Sequence, residues 1–191
     1  MRITKTQLPG VIILEPHYFE DYRGYYADTY SARTLAEHGI DNVFVQDAHS
    51  LTLKEGTVRG MHFQNSPKPQ AKIVRCTNGV IWDVAVDLRK DSPAFMQWMS
   101  VILSGENKKQ LLVPRGFGHG FLTLSDNCEV LYKYDEFYEP KLYRAIAWDD
   151  PDIGIEWPIA SPIISVKDAA APCLRDSDVN FSMEESIQCK R

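Results

Sequence analysis

Cysteine is scarce and unpatterned in this chain: four residues in 191, none in a CxxC spacing, so nothing suggests a secreted disulfide framework. Cys76 and Cys128 sit within apolar runs, where a buried free thiol is the default, and with Cys173 and Cys189 they are expected to stay reduced. Long hydrophobic runs are missing too, and no segment has the length of a membrane span. Met1-Arg2-Ile3-Thr4-Lys5-Thr6-Gln7 passes into a short apolar strand and not into a signal-peptide core. A cytoplasmic protein is expected. Positive charge is in deficit: 21 Lys and Arg stand against 26 Asp and Glu, a formal net charge of −5. That balance argues against a general binder of nucleic acid or membrane surfaces. Phosphate binding would need basic side chains to converge locally, and Arg23, Arg59, Lys72 and Arg115 are the candidates.

With 44% hydrophobic and 25% charged residues, the chain suits one compact domain over 1–191 with a sizeable core. Val11-Ile12-Ile13-Leu14 reads as a strand ended by Pro16, and Tyr25 to Tyr30 as an aromatic, alternating one. Ser31 can cap a short helix holding Leu35 and Ala36, with Gly39 as its C′ residue. Strand character returns at Val43-Phe44-Val45-Gln46 and at Arg59 to Gln64, before Pro67 and Pro69 impose a loop. Ala71 to Cys76 leads into Asn78-Gly79, the favoured pair for a type I′ hairpin turn. The following strand alternates, with Val80, Trp82, Val84, Val86 and Leu88 on one face and Asp83, Asp87 and Arg89 on the other. Further strands are expected at 99–103, 110–113, 120–124 and 129–134. Short strands at this spacing, with little helix between them, indicate an antiparallel sandwich or barrel. From about residue 175 to 191 the chain turns polar and acidic, expected as a late helix or a loosely held tail.

The chemistry is carried by Arg59-Gly60-Met61-His62-Phe63-Gln64, by Lys72, and by Pro114-Arg115-Gly116-Phe117-Gly118-His119-Gly120-Phe121. A lone strand histidine is ordinarily a satisfied core residue. Here two histidines, an arginine and a lysine are aimed from strand-like sequence, which points to a lined pocket with a base working near neutral pH. Arg59 and His62 would fall on opposite pleat faces of a regular strand, so a bulge or twist near Gly60 must redirect one of them. A lysine directed into a barrel is costly to desolvate unless it meets an anion or a developing negative charge. Asp168 could orient an imidazole, although sequence alone does not bring it there. Tyr132 in Val130-Leu131-Tyr132-Lys133-Tyr134 can be read as core or as a proton donor. Pro114-x-Gly116-x-x-His119 has the spacing of the second cupin motif, but its partner stretch here is His62-x-Gln64 without a second His. A stable site usually needs roughly three or four protein ligands, so no metal is expected.

The ordered motifs together resemble the dTDP-4-dehydrorhamnose 3,5-epimerase family of the cupin superfamily. The matching segments are Asp21-x-Arg23-Gly24, Gln46 with Ser50, Val58 to Gln64, Gln70-x-Lys72, Gly79 to Arg89, Pro114 to Phe121, Tyr132-Lys133, Trp148-x-Asp150-Pro151, Gly154-Ile155-x-Trp157-Pro158 and Ser165-x-Lys167-Asp168. They run from about Pro9 to Asp168. The resemblance implies an all-β, cupin-type jelly-roll barrel with a few short peripheral helices, no metal, no cofactor, and a homodimer. It implies a nucleoside-diphosphate 4-keto-6-deoxy sugar as substrate. It casts His62 as base, paired with Asp168, Tyr132 as acid on the opposite sugar face, and Lys72 at the C4 oxygen. Arg59 and His119 would hold sugar or phosphate. Arg23, Tyr26 and Asp28 would contact the nucleotide, partly from the neighbouring subunit, and Gln46, Gln64 and Tyr138 join the substrate-binding set. The chain departs from the family pattern where Ala48 replaces Asn, Tyr26 replaces Phe, Asp28 replaces Glu and Gly118 replaces Ala. The first three fall in the nucleotide or sugar region, which leaves open another base or sugar, epimerisation of one carbon only, or a catalytically idle nucleotide-sugar binder.

Overall fold

The structure is a computed structural model and describes residues 1–183. Along the chain lie β1 (Arg2–Lys5), β2 (Ile12–Glu15), β3 (Phe19–Asp21), β4 (Gly24–Tyr26), α1 (Ala32–Ala36), β5 (Gln46–Thr52), β6 (Thr57–Gln64), β7 (Lys72–Asn78) and β8 (Val80–Asp87). They continue with β9 (Trp98–Ser104), β10 (Gln110–Val113), β11 (Phe117–Thr123), β12 (Cys128–Tyr134), β13 (Tyr143–Ala145), β14 (Ile163–Ile164) and α2 (Val166–Ala169). One sheet runs β1-β2-β10-β7-β12-β5 and faces a second, β13-β6-β11-β8-β9, to whose β6 the short β14 adds in parallel. The two sheets form the expected jelly-roll barrel. No helix among the described residues is long and apolar enough to cross a membrane.

Between the sheets, Val74, Cys76, Leu111, Val113 and Val130 from the first pack against Ile81, Ala85, Leu103, Phe117 and Phe121 from the second. The outer face of the second sheet is covered as well. Met61, Phe63, Val84, Val86 and Leu88 lie under Ile146, Ile153, Leu174, Val179 and Phe181 from the C-terminal part of the chain. Asp83 and Asp87, read as the polar face of an alternating strand, are therefore fully buried inside the barrel. Helix α1, capped by Ser31 as expected, covers part of the outer face of the first sheet through Leu35 against Leu14, Ile73 and Leu112. Gly39 takes the left-handed φ of +77°, two residues past the Glu37 cap rather than one.

Three expectations are corrected. Asn78-Gly79 is not a hairpin turn. β7 belongs to the first sheet and β8 to the second, and the pair is the corner between them. Gly79 has φ +80° while Asn78 does not take a positive φ, which a type I′ turn requires of both. A Cβ on Gly79 would come within 2.7 Å of Cys128 Sγ and Ser125 Oγ, so the corner is closed on that side. The strand expected through Tyr30 is the small hairpin β3–β4, ending at Tyr26. The strand expected at Val43 begins only at Gln46, just past the Val45 N–H that donates to Tyr134 O of β12 at 2.8 Å, and Val43 and Val45 are exposed. The stretch after Leu174 is held up to Met183: Val179 and Phe181 are buried, Arg144 pairs with Asp178 at 2.7 Å, and Asn180 donates to Ser66 O at 3.2 Å. The rest of that expected tail, 184–191, lies outside the described residues.

Candidate active site

The site begins with an irregularity in β6. His62 pairs with His119 of β11, and Arg59 pairs with Phe121, so β6 carries one residue more than β11 over the same stretch. Gly60 absorbs it with φ +139°, and the Gly60–Met61 peptide is cis. A Cβ at Gly60 would meet Gly120 Cα at 2.6 Å, so the two strands can approach this closely only through facing glycines. The bulge turns both Arg59 and His62 into one cleft, as their spacing required.

The cleft has a volume of about 360 Å³. On the second sheet, His62 Nε2 lies 2.7 Å from Asp168 Oδ1. Asp168 is buried in the first turn of α2, where Ser165, the cap residue, accepts from its backbone N–H at 3.0 Å. With Nε2–H donated to that carboxylate, Nδ1 keeps the lone pair of a base. Burial lowers the imidazole pKa below its ordinary value; Asp168 opposes this, and Lys72 and His119 add to the lowering. Burial raises the Asp168 carboxyl, but His62, the Gly60 N–H and Ser165 together outweigh it and hold the carboxyl low. The pair therefore rests as neutral imidazole and carboxylate.

A second imidazole lies deeper. His119 Nε2 is 3.0 Å from both oxygens of Asp83, and both residues are buried. Lys72, first residue of β7 and 6% exposed, donates to His62 O at 3.1 Å. Burial depresses its ammonium to about 8, with Asp83 pulling the other way. Tyr132 projects from β12 of the opposite sheet, stacked on Tyr134 with centroids 5.9 Å apart. Burial raises its phenol above the ordinary range, so it stays protonated at neutral pH. Arg59 reaches the rim, donating from Nε to Thr52 Oγ1 at 2.9 Å. Gln46, whose Oε1 accepts from Tyr138 N at 3.0 Å, lines the same wall with Ala48 and Tyr138.

Of the sequence-predicted residues, His62, Lys72, Tyr132, Gln46, Arg59, His119 and Tyr138 thus share one cleft, with Asp168 behind His62. Gln64 does not join them. It is buried, its amide nitrogen donates to Lys68 O and Phe137 O, and its oxygen accepts from Glu139 N at 2.8 Å. It ties two loops together. Arg115 is likewise structural, in a buried ion pair with Asp135 at 2.9 Å. Arg23, Tyr26 and Asp28 stay on the exposed β3–β4 hairpin and its exit, where Arg23 pairs with Asp21 at 2.6 Å and Tyr26 donates to Asp28 at 2.8 Å. None of the three lines this chain's cleft. Sequence reasoning missed Tyr134 and Tyr143. Tyr134 was discoverable as the next same-face residue after Tyr132, whereas nothing in the sequence around Tyr143 announced it. Asp83 was seen only as a polar strand residue. Beside the cleft runs a groove of about 420 Å³ that shares Arg59, His62 and Tyr143 with it and includes Ser165 and Lys167. Among the described residues, no three His, Cys, Asp or Glu side chains gather to hold a metal ion.

Chemically, the cleft sets a neutral, carboxylate-held imidazole on one wall against a protonated phenol on the other. A buried ammonium lies in the same space. That suits proton removal beside a carbonyl, stabilisation of the resulting enolate, and reprotonation from the far side.

Comparison with known proteins agrees. The family model described as dTDP-4-dehydrorhamnose 3,5-epimerase matches residues 5–176. A Salmonella typhimurium protein of that name is 50% identical over 176 residues, covering 91% of this chain and 96% of the other. The crystal structure of the Bacillus anthracis enzyme with TDP and PPi bound superposes with a TM-score of 0.88 at 44% identity, covering 90% and 98%. A double mutant of a Streptomyces bikiniensis 3′-monoepimerase in complex with dTDP also superposes at 0.88, at 27% identity, covering 95% and 93%. With a family match over nearly all of its length and the same jelly roll, the chain belongs to the dTDP-4-dehydrorhamnose 3,5-epimerase family.

Proposed function

We propose that this protein converts dTDP-4-dehydro-6-deoxy-D-glucose to dTDP-4-dehydro-L-rhamnose by epimerisation at C3 and C5, without a cofactor. A hydrogen beside the C4 ketone is removable because the carbanion delocalises onto oxygen. His62 Nδ1 takes that proton, and Asp168 steadies the imidazolium that forms. The Lys72 ammonium at the C4 oxygen holds the enolate more tightly than the ketone, which lowers the barrier. Tyr132 then delivers a proton to the opposite ring face and inverts the centre. Arg59 and His119 hold sugar or phosphate oxygens, with Gln46 and Tyr138 beside them. Lys167 and Ser165 extend a cationic, hydrogen-bonding path for the diphosphate along the adjoining groove.

The observation that carries this reading is the opposition of His62 and Tyr132 on facing sheets, with the His62–Asp168 contact at 2.7 Å. The protein works as a cytoplasmic homodimer in this proposal. Arg23, Tyr26 and Asp28 contact the nucleotide of the neighbouring subunit's site. In support, their hairpin presents Phe19, Tyr22 and Tyr25 to solvent, with Tyr22 97% exposed.

Deuterium incorporation from D₂O into dTDP-4-dehydro-6-deoxyglucose, followed by proton NMR, tests the reaction. Label at C3 and C5 with the wild type, abolished in His62→Asn, is expected. Label at one carbon only would make the protein a mono-epimerase, like the Streptomyces bikiniensis enzyme to which it is 27% identical. Tight binding with no label would leave a nucleotide-sugar binding protein.

A further inference from the structure

Tyr143 stands where the cleft and the groove meet and lines both. On β13, Ala145 is the cross-strand partner of His62, and Tyr143 lies two residues away on the same pleat face. Its ring leans on the imidazole, with centroids 5.5 Å apart and planes tilted by 45°. Tyr138 meets it edge-on at 5.7 Å, and the Lys167 ammonium sits 4.2 Å from its centroid. The ring is thus fixed by an imidazole, a phenol and a cation. Its hydroxyl, in contrast, has no hydrogen-bond partner among the described residues, and burial keeps it protonated.

A group packed against the ring of a base lies beside the carbon whose proton that base removes. In a 4-keto-6-deoxy sugar deprotonated at C3, the nearest substituents are the hydroxyls on C3 and C2. We infer that the Tyr143 hydroxyl hydrogen-bonds one of these two sugar hydroxyls, which makes Tyr143 a substrate-binding residue and a determinant of which sugars are turned over. The inference rests on the epimerase reading with His62 as base. An uncharged phenol is well matched to a sugar hydroxyl, since it can both donate to it and accept from it, and its fixed ring reduces the entropy lost on contact. A site built to hold a hydroxyl discriminates against the analogue that lacks it, because the protein group is left unpaired.

The test compares wild type with Tyr143→Phe, which keeps the ring against His62. The substrates are dTDP-4-dehydro-6-deoxyglucose and its 2-deoxy and 3-deoxy analogues, with C5 deuterium exchange and kcat/KM as readouts. On the parent sugar the variant should lose about 3- to 10-fold in kcat/KM. On the analogue missing the partner hydroxyl, wild type and variant should perform alike. A merely structural tyrosine would not show that dependence on the substrate. Wild-type kcat/KM in Tyr143→Phe, or an equal loss on all three sugars, overturns the inference. Absence of exchange by the wild type on every sugar would instead overturn the epimerase reading, and this inference with it.

Discussion

His62 and His119 face each other across the β6–β11 ladder, yet each imidazole turns its Nε2 to a different carboxylate, His62 to Asp168 at 2.7 Å and His119 to Asp83 at 3.0 Å. The first pair is half-open to the cleft and the second is buried. One pair can exchange protons with a ligand, while the other is a fixed element of the cavity wall. Asp83 also pulls the Lys72 ammonium upward, against burial. The inner pair therefore bears on the charge that the enolate meets, and the outer pair on the base that makes it.

Removing the outer carboxylate should uncouple geometry from basicity. Asp168→Asn is expected to lower kcat by about 10²–10⁴. Because Asp168 raises the His62 pKa, the acid limb of the pH–kcat/KM profile should move to lower pH in the variant. A limb that stays in place would dissociate that limb from His62.

The alkaline limb should belong to Lys72. Its ammonium, depressed to about 8 by burial, must be charged to hold the enolate, so kcat/KM should fall as pH rises through that value. Asp83→Asn removes the carboxylate that supports the ammonium, and the limb should then move below pH 8. An unchanged profile would exclude Lys72 as the group titrating there.

Lys72 should also be a functional residue held at the expense of stability. A depressed pKa means that the folded state binds fewer protons than the unfolded one between about 8 and the ordinary lysine value of 10.5. Folding stability from this group accordingly rises with pH through that window, and below it the charged form is a fixed cost. Lys72→Met should abolish turnover while raising stability at pH 7 by about 1–3 kcal/mol in chemical denaturation. A variant that is both inactive and less stable would count against that cost.

Tyr132→Phe separates proton removal from inversion. Product should form about 10²–10⁴ more slowly, while solvent deuterium still enters the substrate through His62. Unchanged turnover would take Tyr132 out of the mechanism.

Gly60→Ala probes the bulge. The added methyl would meet Gly120 Cα at 2.6 Å, at a φ of +139° that L side chains rarely adopt. A loss of about 2–4 kcal/mol in unfolding free energy is expected, together with loss of activity, because Arg59 and His62 would no longer share a face. Near-wild-type stability would mean that the strands can separate at little cost.

Much of this site was legible residue by residue. The three-residue step from Arg59 to His62 demanded a bulge or twist near Gly60, and the structure has a bulge there. His119 and Lys72 announced themselves as charges aimed from strands. What sequence could not convey was destination. Asn78-Gly79 signals a bend equally well whether the next strand pairs with the last or joins the other sheet. Gln64 shares its strand with His62, yet its amide serves loop backbone, because alternation tells a face and not what lies over it. Arg115 is buried against Asp135, a partner 20 positions away that no local pattern names. Tyr143 follows the loop-like Glu139-Pro140-Lys141-Leu142, and only pairing with β6 makes it a strand residue facing the base.

The Asn78–Gly79 corner bears on how the cleft comes into being. Because β7 and β8 part into different sheets, the ladders at the site join distant segments: β7 with β10 and β12, β6 with β11, β5 with β12. Loop-closure entropy must be overcome before those pairings stabilise anything, so assembly should take roughly milliseconds to seconds rather than microseconds. Emerging from the ribosome, His62 and Lys72 come well before Tyr132 and Asp168 in the chain. Until the last of them folds back, the nascent polypeptide carries a base without its carboxylate and a cation without its opposing phenol.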